Sequence, residues 1–302
     1  MFDMHYDLLT LAYLTGPNNF QKKYLFDEIN TKKGITANLY FMSQKENAKE
    51  LNYPKTINVL QIFKKAKRNL ESYKPKPQLL YSIEGCDYIK NTQELKKLKK
   101  EGLNSIILVW NNKNKYGSGN RSKQGLTKQG KQFIKEAIKL NLGIDLSHAN
   151  KKTFKGIIQQ LKKAKRNKPV CYASHSNIKK LYNHPRNLSI HQLKQLKKVG
   201  GYLGLVPYPS FLTNDKKRIK ESYINNILQA IKIMGIDHVF LSTDNMDFLN
   251  DFTENTSDKS PYPYKTIEYE LKVQLKKYLN KTQIEKIMYK NANEIYIRLK
   301  TG

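Results

Sequence analysis

The sequence predicts an α/β protein built as a (β/α)8 barrel of the TIM type, with extra helices at its carboxyl end. Eight short apolar runs have the length of strands, and amphipathic helical patterns separate most of them. An open doubly wound sheet usually has a glycine-rich phosphate turn after its first strand, whereas residues 10–13 contain no glycine. These observations together favour the barrel.

The eight predicted strands cover residues 2–8, 35–42, 78–84, 105–110, 143–148, 169–175, 201–208 and 238–244. Predicted helices cover residues 18–32, 56–73, 92–101, 127–141, 151–166, 190–199, 215–234, 263–279, 282–289 and 291–299. Thr127 is expected to be an N-cap, and Gly102, Gly143 and Gly200 stand where helices should end. No repeat or Pro/Ser-rich linker divides the chain, so residues 1–302 are predicted to form a single domain.

The formal net charge of +30 suits a polyanion such as nucleic acid, because Lys and Arg neutralise phosphates. The lysines, however, are spread over every helical segment, opposite apolar faces, and no nucleic-acid-binding motif accompanies them. We therefore predict no nucleic-acid partner.

No apolar run is long enough to span a bilayer, no signal peptide precedes the first strand, and the only cysteines are Cys86 and Cys171. A cytoplasmic protein without a membrane partner is expected.

In a barrel of this type, residues at the carboxyl ends of the strands carry the chemistry. The candidates at these ends are His5, Asp7, Glu84, His148, His175 and Asp244. Imidazoles and carboxylates are the ligands of zinc and similar divalent ions. A carboxylate placed between two ligand pairs could bridge two ions and hold a hydroxide ready for attack.

Each candidate also has an ordinary structural alternative. His5 could be a core histidine, Asp7 and His148 could cap helices, Glu84 could pair with a lysine, and His175 could bond to the backbone. Cys86, next to the predicted centre, could be a reactive thiol or a stray ligand, although a small buried filler is favoured; Cys171 is predicted to lie in the core.

Several segments are distinctive in combination. They are Asp-Met-His-Tyr-Asp at residues 3–7, Ser-Ile-Glu-Gly at 82–85, Gly-Leu-Thr at 125–127, Gly-Ile-Asp-Leu-Ser-His at 143–148, Ser-His-Ser-Asn at 174–177, His-Pro-Arg-Asn-Leu at 184–188, Pro-Tyr-Pro-Ser-Phe-Leu at 207–212 and Gly-Ile-Asp-His-Val at 235–239. Through them the chain resembles the membrane dipeptidase (renal dipeptidase) family of zinc peptidases over nearly its whole length.

The resemblance implies two zinc ions bridged by Glu84. By motif position, His5 and Asp7 hold one ion, and His148 and His175 hold the other. It implies that a bridging water, acidified by both ions, attacks the carbonyl of a free dipeptide. Tolerance for a D-residue at the carboxyl side of the substrate and assembly as a homodimer are further properties of the family, and neither can be derived from this sequence.

The resemblance also implies roles for residues around the metals. Arg186 matches the arginine that binds the substrate carboxylate, a task suited to a guanidinium fork. Asp244 matches the aspartate near the substrate amine and the leaving nitrogen, where a carboxylate can shuttle a proton. Tyr208, in the Pro-Tyr-Pro-Ser segment, is a further candidate for substrate binding.

Two departures from the family pattern bear on substrate choice. At the end of strand four, Trp110 stands where a histidine is expected to contact the substrate carbonyl, and Asn111, Asn112 or a lysine could substitute for it. Residues 242–247 read Ser-Thr-Asp-Asn-Met-Asp, so the second aspartate of the strand-eight motif is moved or lost. The loop 111–126, rich in polar residues and glycine, is expected to be a mobile cover over the site.

The sequence therefore predicts a metal-dependent dipeptidase. Two alternatives stay open. One is another hydrolase of the wider metal-barrel group that acts on a different amide or ester. The other is a non-catalytic basic barrel that binds an anionic polymer.

Overall fold

The computed structural model describes residues 1–23, 29–41, 57–164, 169–245 and 260–301. Eight parallel strands form one sheet in which each strand pairs with the next along the chain. They are β1 (Phe2–Tyr6), β2 (Gly34–Tyr40), β3 (Gln78–Glu84), β4 (Ser105–Ile107), β5 (Gly143–Asp145), β6 (Cys171–Ala173), β7 (Tyr202–Leu205) and β8 (Val239–Leu241). This sequential order is that of the predicted barrel.

The sheet nearly closes on itself where the segment after β8 meets β1. Tyr6 forms a parallel bridge with Asn245, and the backbone N–H of Asp244 donates to the carbonyl of His5 over 3.1 Å. Near this seam the register between β1 and β2 shifts: Asp3 pairs with Ile35 and Tyr6 with Ala37. Three steps along β1 therefore match two along β2, as in a β-bulge, which turns neighbouring side chains to new directions.

Helices connect most of the strands and extend the carboxyl end. The described helices are α1 (Leu8–Lys23), α2 (Val59–Ser72), α3 (Thr92–Lys100), α4 (Lys128–Lys139), α5 (Lys151–Lys163), α6 (Ile190–Lys198), α7 (Ile219–Met234), α8 (Ile267–Leu275), α9 (Lys281–Glu285) and α10 (Asn291–Thr301). Polar side chains cap many of their first turns, and Thr127 does so for α4 by accepting from the N–H of Gly130.

The first helix differs most from expectation. It begins at Leu8, just after β1, rather than at residue 18, because Leu8, Leu9, Leu11 and Ala12 are buried in a helix and not in an extension of the strand. Residues 24–28, part of the predicted helix 18–32, lie outside the described residues, as does residue 42 of the second predicted strand.

Several strands are shorter than their apolar runs. Strands β4 to β8 have three or four residues each, although the corresponding predicted strands have six to eight. The residues that follow each of these strands are still mostly buried although they no longer pair with a neighbouring strand. Their apolar character therefore extends the predicted strand beyond its true end. The predicted site residues after β4, β5, β6 and β8 consequently lie in loops just above the sheet.

The interior of the barrel is filled from several strands and sealed by the last helix. Phe2, Met4, Leu80, Tyr172 and Phe240 form one buried apolar cluster with Ala292, Ile295 and Leu299 of α10. A second and larger cluster lies mainly between the sheet and the surrounding helices. This packing leaves the carboxyl ends of the strands for polar residues.

Two of the three expected helix-ending glycines have the predicted conformation. Gly102 and Gly200 have φ angles of 101° and 74° after α3 and α6. Gly143 was wrongly predicted to end a helix, since it opens β5, and Asn141 takes the left-handed conformation instead, with φ 48°. Among the described residues, every helix falls short of the length and apolar character needed to cross a membrane.

Candidate metal centre

The carboxyl ends of the strands bring five predicted ligands together. The side chains of His5, Asp7, Glu84, His148 and His175 are all buried. They come from β1, the end of β3 and the loops after β5 and β6, so residues far apart in sequence meet only through closure of the barrel. Ligand atoms of His5, Asp7 and Glu84 lie within 4.8 Å of one another, as do those of Glu84, His148 and His175.

Glu84 stands between the two groups. Its Oε2 atom lies 3.1 Å from Nε2 of His5, whereas its Oε1 atom lies 2.8 Å from Nε2 of His148 and 3.6 Å from Nε2 of His175. The two carboxylate oxygens therefore face different histidine groups. This is the geometry that a bridging carboxylate requires.

Two residues of the centre have backbones in the left-handed region. His148 has φ 65° and Asp244 has φ 50°. Most residues other than glycine avoid such angles, but aspartate, asparagine and histidine adopt them more often than the rest. With this backbone conformation, Asp244 Oδ1 lies 3.5 Å from His5 Nε2.

Polar residues that the sequence analysis missed hold the histidines in place. Ser174 Oγ lies 2.8 Å from Nδ1 of His175 and 3.3 Å from Nδ1 of His5, and the amide of Asn38 lies 3.1 Å from the latter atom. Asp145 Oδ1 accepts from the backbone N–H of Ser174 over 3.1 Å. A serine directly before a predicted ligand and a polar residue within a buried strand were the available signals.

Electrostatics couples these groups. Burial works to lower the pKa of His5, but attraction to the Glu84 carboxylate prevails and raises that pKa to about 10. Burial and the nearby Arg186 lower the pKa of His148 to about 3, and burial raises the pKa of Asp244 to about 6. The same attraction acts on the Glu84 carboxylate, whose pKa is lowered by His5 and His148 against the effect of burial.

The residues fit a divalent cation. Among the described residues, neither Nε2 of His175 nor Oδ1 of Asp7 has a hydrogen-bond partner, although both atoms are buried. Such atoms are costly to leave unpaired, and both residues belong to the groups whose ligand atoms lie within 4.8 Å of one another. Imidazole nitrogens with carboxylate oxygens are the ligand set of zinc and related ions.

Two of the ordinary alternatives do not match the contacts, whereas the ordinary role favoured for Cys86 does. Asn150, not His148, caps α5, and it does so by accepting from the N–H of Thr153. Glu84 contacts histidines rather than a lysine. Cys86 is fully buried, and its thiol lies 3.4 Å from the carbonyl of Ile107, which agrees with the favoured role as a core filler.

The predicted substrate-binding residues surround the centre unevenly. Arg186 is buried, its Nη2 atom donates to the carbonyl of His175 over 3.3 Å, and its guanidinium lies 5.3 Å from the ring centre of Phe211. Tyr208 packs against the same phenyl ring at 4.7 Å. Burial lowers the pKa of Arg186 to about 10, and Asp244 and Glu84 oppose that change.

Trp110 packs against the rings of Tyr40 and His148. Its ring centre is 5.1 Å from that of Tyr40 and 5.9 Å from that of His148. Asn111 contacts one of the candidate metal ligands directly, because its Oδ1 atom lies 2.9 Å from Nδ1 of His148. In the loop 111–126, Gly119 forms an antiparallel bridge with Ala149. Met246 and Asp247, in the altered strand-eight motif, lie outside the described residues.

A sequential parallel barrel with a buried histidine–carboxylate cluster at its strand ends defines the class of this protein as a (β/α)8 barrel with a candidate metal centre. The chain belongs to the membrane dipeptidase family (peptidase family M19), whose profile matches residues 19–298. The resemblance predicted from the motifs is thereby confirmed.

Individual relatives are distant. The chain is 34% identical over 155 residues to an uncharacterized protein in the pqqA 5′ region of Klebsiella pneumoniae, covering 47% of this chain and 55% of that protein. It is 27% identical over 170 residues to dipeptidase tcpJ of Claviceps purpurea (strain 20.1), covering 56% of this chain and 37% of that protein. The matched region thus spans about half, or less, of the length of these curated relatives.

Similarity of fold extends further than similarity of sequence. A metallo peptidase from Rhodobacter sphaeroides, solved with a phosphinate mimic of the dipeptide L-Ala-D-Ala, superposes with a TM-score of 0.78. The superposition covers 99% of this chain and 98% of that one, at 19% sequence identity. This likeness confirms the barrel fold.

Proposed function

We propose that this protein is a metal-dependent dipeptidase that hydrolyses free dipeptides with two zinc ions. The observation that carries the proposal is the position of Glu84, whose two oxygens face His5 on one side and His148 with His175 on the other. Family membership supports the reaction class, and the name of one relative, dipeptidase tcpJ, agrees with it.

In this proposal His5 and Asp7 hold one ion, His148 and His175 hold the second, and Glu84 joins them. The ions, when bound, supply acidification of water and polarisation of the substrate carbonyl. The protein supplies the rest: buried ligands fixed by hydrogen bonds, exclusion of bulk water, and charges that orient the substrate.

Arg186 is the residue proposed to bind the substrate carboxylate. A buried guanidinium offers paired N–H donors, and its attraction to a carboxylate is strong where water is excluded. The R. sphaeroides structure was solved with a mimic of L-Ala-D-Ala, so a D-residue at the carboxyl side is included in the proposal.

Asp244 is proposed to handle a proton on the substrate amine or the leaving nitrogen. Its side chain is slightly exposed, lies 3.5 Å from His5, and its pKa is raised to about 6 by burial. A carboxyl group of that pKa exchanges protons readily near neutral pH. It is well placed to accept a hydrogen bond from an ammonium group and to deliver a proton to an amine.

The decisive experiment measures amino-acid release from a panel of dipeptides that includes L-Ala-D-Ala, using zinc-loaded protein. The same panel is run with a chelator and with His148→Ala. Release that both controls abolish supports the proposal. A protein that binds two zinc ions and cleaves no dipeptide would overturn it.

A further inference from the structure

Ser174 lies between two histidines that the proposed function assigns to different ions. Its Oγ atom is 2.8 Å from Nδ1 of His175 and 3.3 Å from Nδ1 of His5, and the residue is fully buried. The two imidazole rings are themselves close, with their centres 3.8 Å apart. One hydroxyl group therefore contacts both halves of the candidate centre.

The hydrogen atoms of this arrangement can be counted. An imidazole that binds a metal through Nε2 carries its proton on Nδ1 and must donate it to an acceptor. A serine hydroxyl has two acceptor sites and one proton, so Ser174 can accept from His5 and His175 together. Its own proton can go to Oγ of Ser147, 3.4 Å away. The two Nδ1 protons and the Ser174 proton then each have an acceptor.

The backbone holds Ser174 in place for this task. Asp145 Oδ1 accepts from the N–H groups of Ser174 and Ser147, over 3.1 and 2.9 Å. Ser147 Oγ in turn accepts from the backbone N–H of His175 over 3.2 Å. The two serines and the histidine thus form one connected network at the ends of β5 and β6, with a buried carboxylate at its base.

Nδ1 of His5 also has a neighbour that can only donate a hydrogen bond. The amide nitrogen of Asn38 lies 3.1 Å from Nδ1 of His5, and it donates to the carbonyl of Thr36 over 3.2 Å. As a donor, Asn38 suits the other tautomer of His5, in which Nδ1 is bare and Nε2 carries the proton toward Glu84. Ser174 is the neighbour that suits the tautomer needed for metal binding.

We propose that Ser174 is a positioning residue shared by both metal ions, fixing the metal-binding tautomer of His5 and His175 at once. The proposal rests on the ligand assignment of the proposed function. It distinguishes Ser174 from Asn111, whose side-chain oxygen lies beside one candidate ligand, His148. Loss of the Ser174 hydroxyl lowers the affinity for both ions, whereas loss of the Asn111 amide lowers only the affinity for the ion that His148 holds.

The test is zinc binding to the metal-free full-length protein, followed by competition with a chromophoric chelator. Ser174→Ala is expected to lower both stepwise affinities about 10- to 100-fold, the usual effect of removing such a hydrogen-bond partner. Ser242→Ala is the matched control, because Ser242 is equally buried and its Oγ has no hydrogen-bond partner among the described residues. Its two affinities should equal those of the wild type.

A second measurement uses the wild-type protein and does not depend on how Ser174→Ala folds. In the zinc-loaded protein with ¹⁵N-labelled histidines, long-range ¹H–¹⁵N NMR spectra report which ring nitrogen carries the proton. We expect His5 and His175 both to carry it on Nδ1. A bare Nδ1 on either residue, or a Ser174→Ala protein that keeps either zinc affinity unchanged, would overturn the shared role.

The outcomes separate this inference from the proposed function. A wild-type protein that binds fewer than two zinc ions contradicts the two-ion assignment. One that binds two ions but cleaves no dipeptide contradicts only the activity. The role of Ser174 alone is contradicted if the wild type binds two ions and cleaves dipeptides while Ser174→Ala does not lower the affinity for both ions.

Discussion

Oδ1 of Asn111 lies 2.9 Å from Nδ1 of His148, so the first residue after Trp110 contacts a metal-ligand candidate directly. As an acceptor, this amide oxygen fixes the proton on Nδ1 and leaves Nε2 of His148 free to face Glu84. Substrate binding by Asn111 remains a prediction. The contact with His148 indicates a second role for Asn111, orienting that imidazole.

Replacing Asn111 by alanine should weaken binding of one zinc ion about 10- to 100-fold and leave the other ion bound, because only His148 loses its partner. Zinc titration of the metal-free variant measures both affinities. Asn112→Ala, which changes an exposed neighbour, is the control. Equal zinc affinities in the Asn111 variant and the wild type would show that the contact does not orient His148.

Arg186→Lys should raise KM for free dipeptides about 10-fold or more, because lysine cannot reproduce the paired N–H donors of a guanidinium. Dipeptide amides lack the carboxylate, so their KM should change little. Arg121→Lys is the matched control, since Arg121 is exposed and its guanidinium lies 5.8 Å from the ring of Trp110. An equal rise in KM for acids and amides would exclude carboxylate recognition by Arg186.

Zinc should stabilise the folded protein. An ion that binds only the folded state adds about 2.7 kcal/mol at a hundred times its Kd, which corresponds to a Tm rise of about 5 °C. Thermal unfolding with zinc and with chelator measures the difference. In Glu84→Gln the shift should be much smaller, because the side chain loses its charge and one of its two acceptor oxygens. An undiminished shift in that variant would place the zinc elsewhere.

Gly119→Ala should destabilise the protein by about 1–3 kcal/mol, as overpacking does. A Cβ atom there would stand 1.7 Å from the carbonyl oxygen of Trp110 and 2.5 Å from the carbonyl carbon of Asn111. Gly125→Ala is the control in the same loop, since its nearest contact would be at 3.1 Å, to Lys152. Urea unfolding of both variants tests this, and equal free energies of unfolding would contradict the crowding argument.

Cys171 should resist alkylation in the folded protein. It is 1% exposed, and burial raises the pKa of its thiol to about 12, so the reactive thiolate is almost absent below that pH. Iodoacetamide at pH 8, followed by mass spectrometry, should label Cys171 only after the protein is unfolded. Rapid labelling of the native protein would mean that β6 opens far more readily than its packing indicates.

The sequence by itself determined the order of the strands and the chemistry at their ends. Alternating apolar and amphipathic segments predict a parallel barrel, and such a barrel brings all its carboxyl strand ends to one face. His5, Glu84, His148 and His175 could therefore be predicted to meet, although more than 160 positions separate the first from the last. The motifs added the family.

Tertiary structure alone decided how these side chains are held. The register shift in β1, the left-handed backbones of His148 and Asp244, and the shared contacts of Ser174 depend on where the barrel closes and how its loops pack. Local periodicity carries no information about the register shift or the contact of Ser174 with His5, because both join different strands whose distance is set by the whole sheet. A serine and an asparagine consequently look ordinary in the sequence and become partners of metal-ligand candidates only in the folded protein.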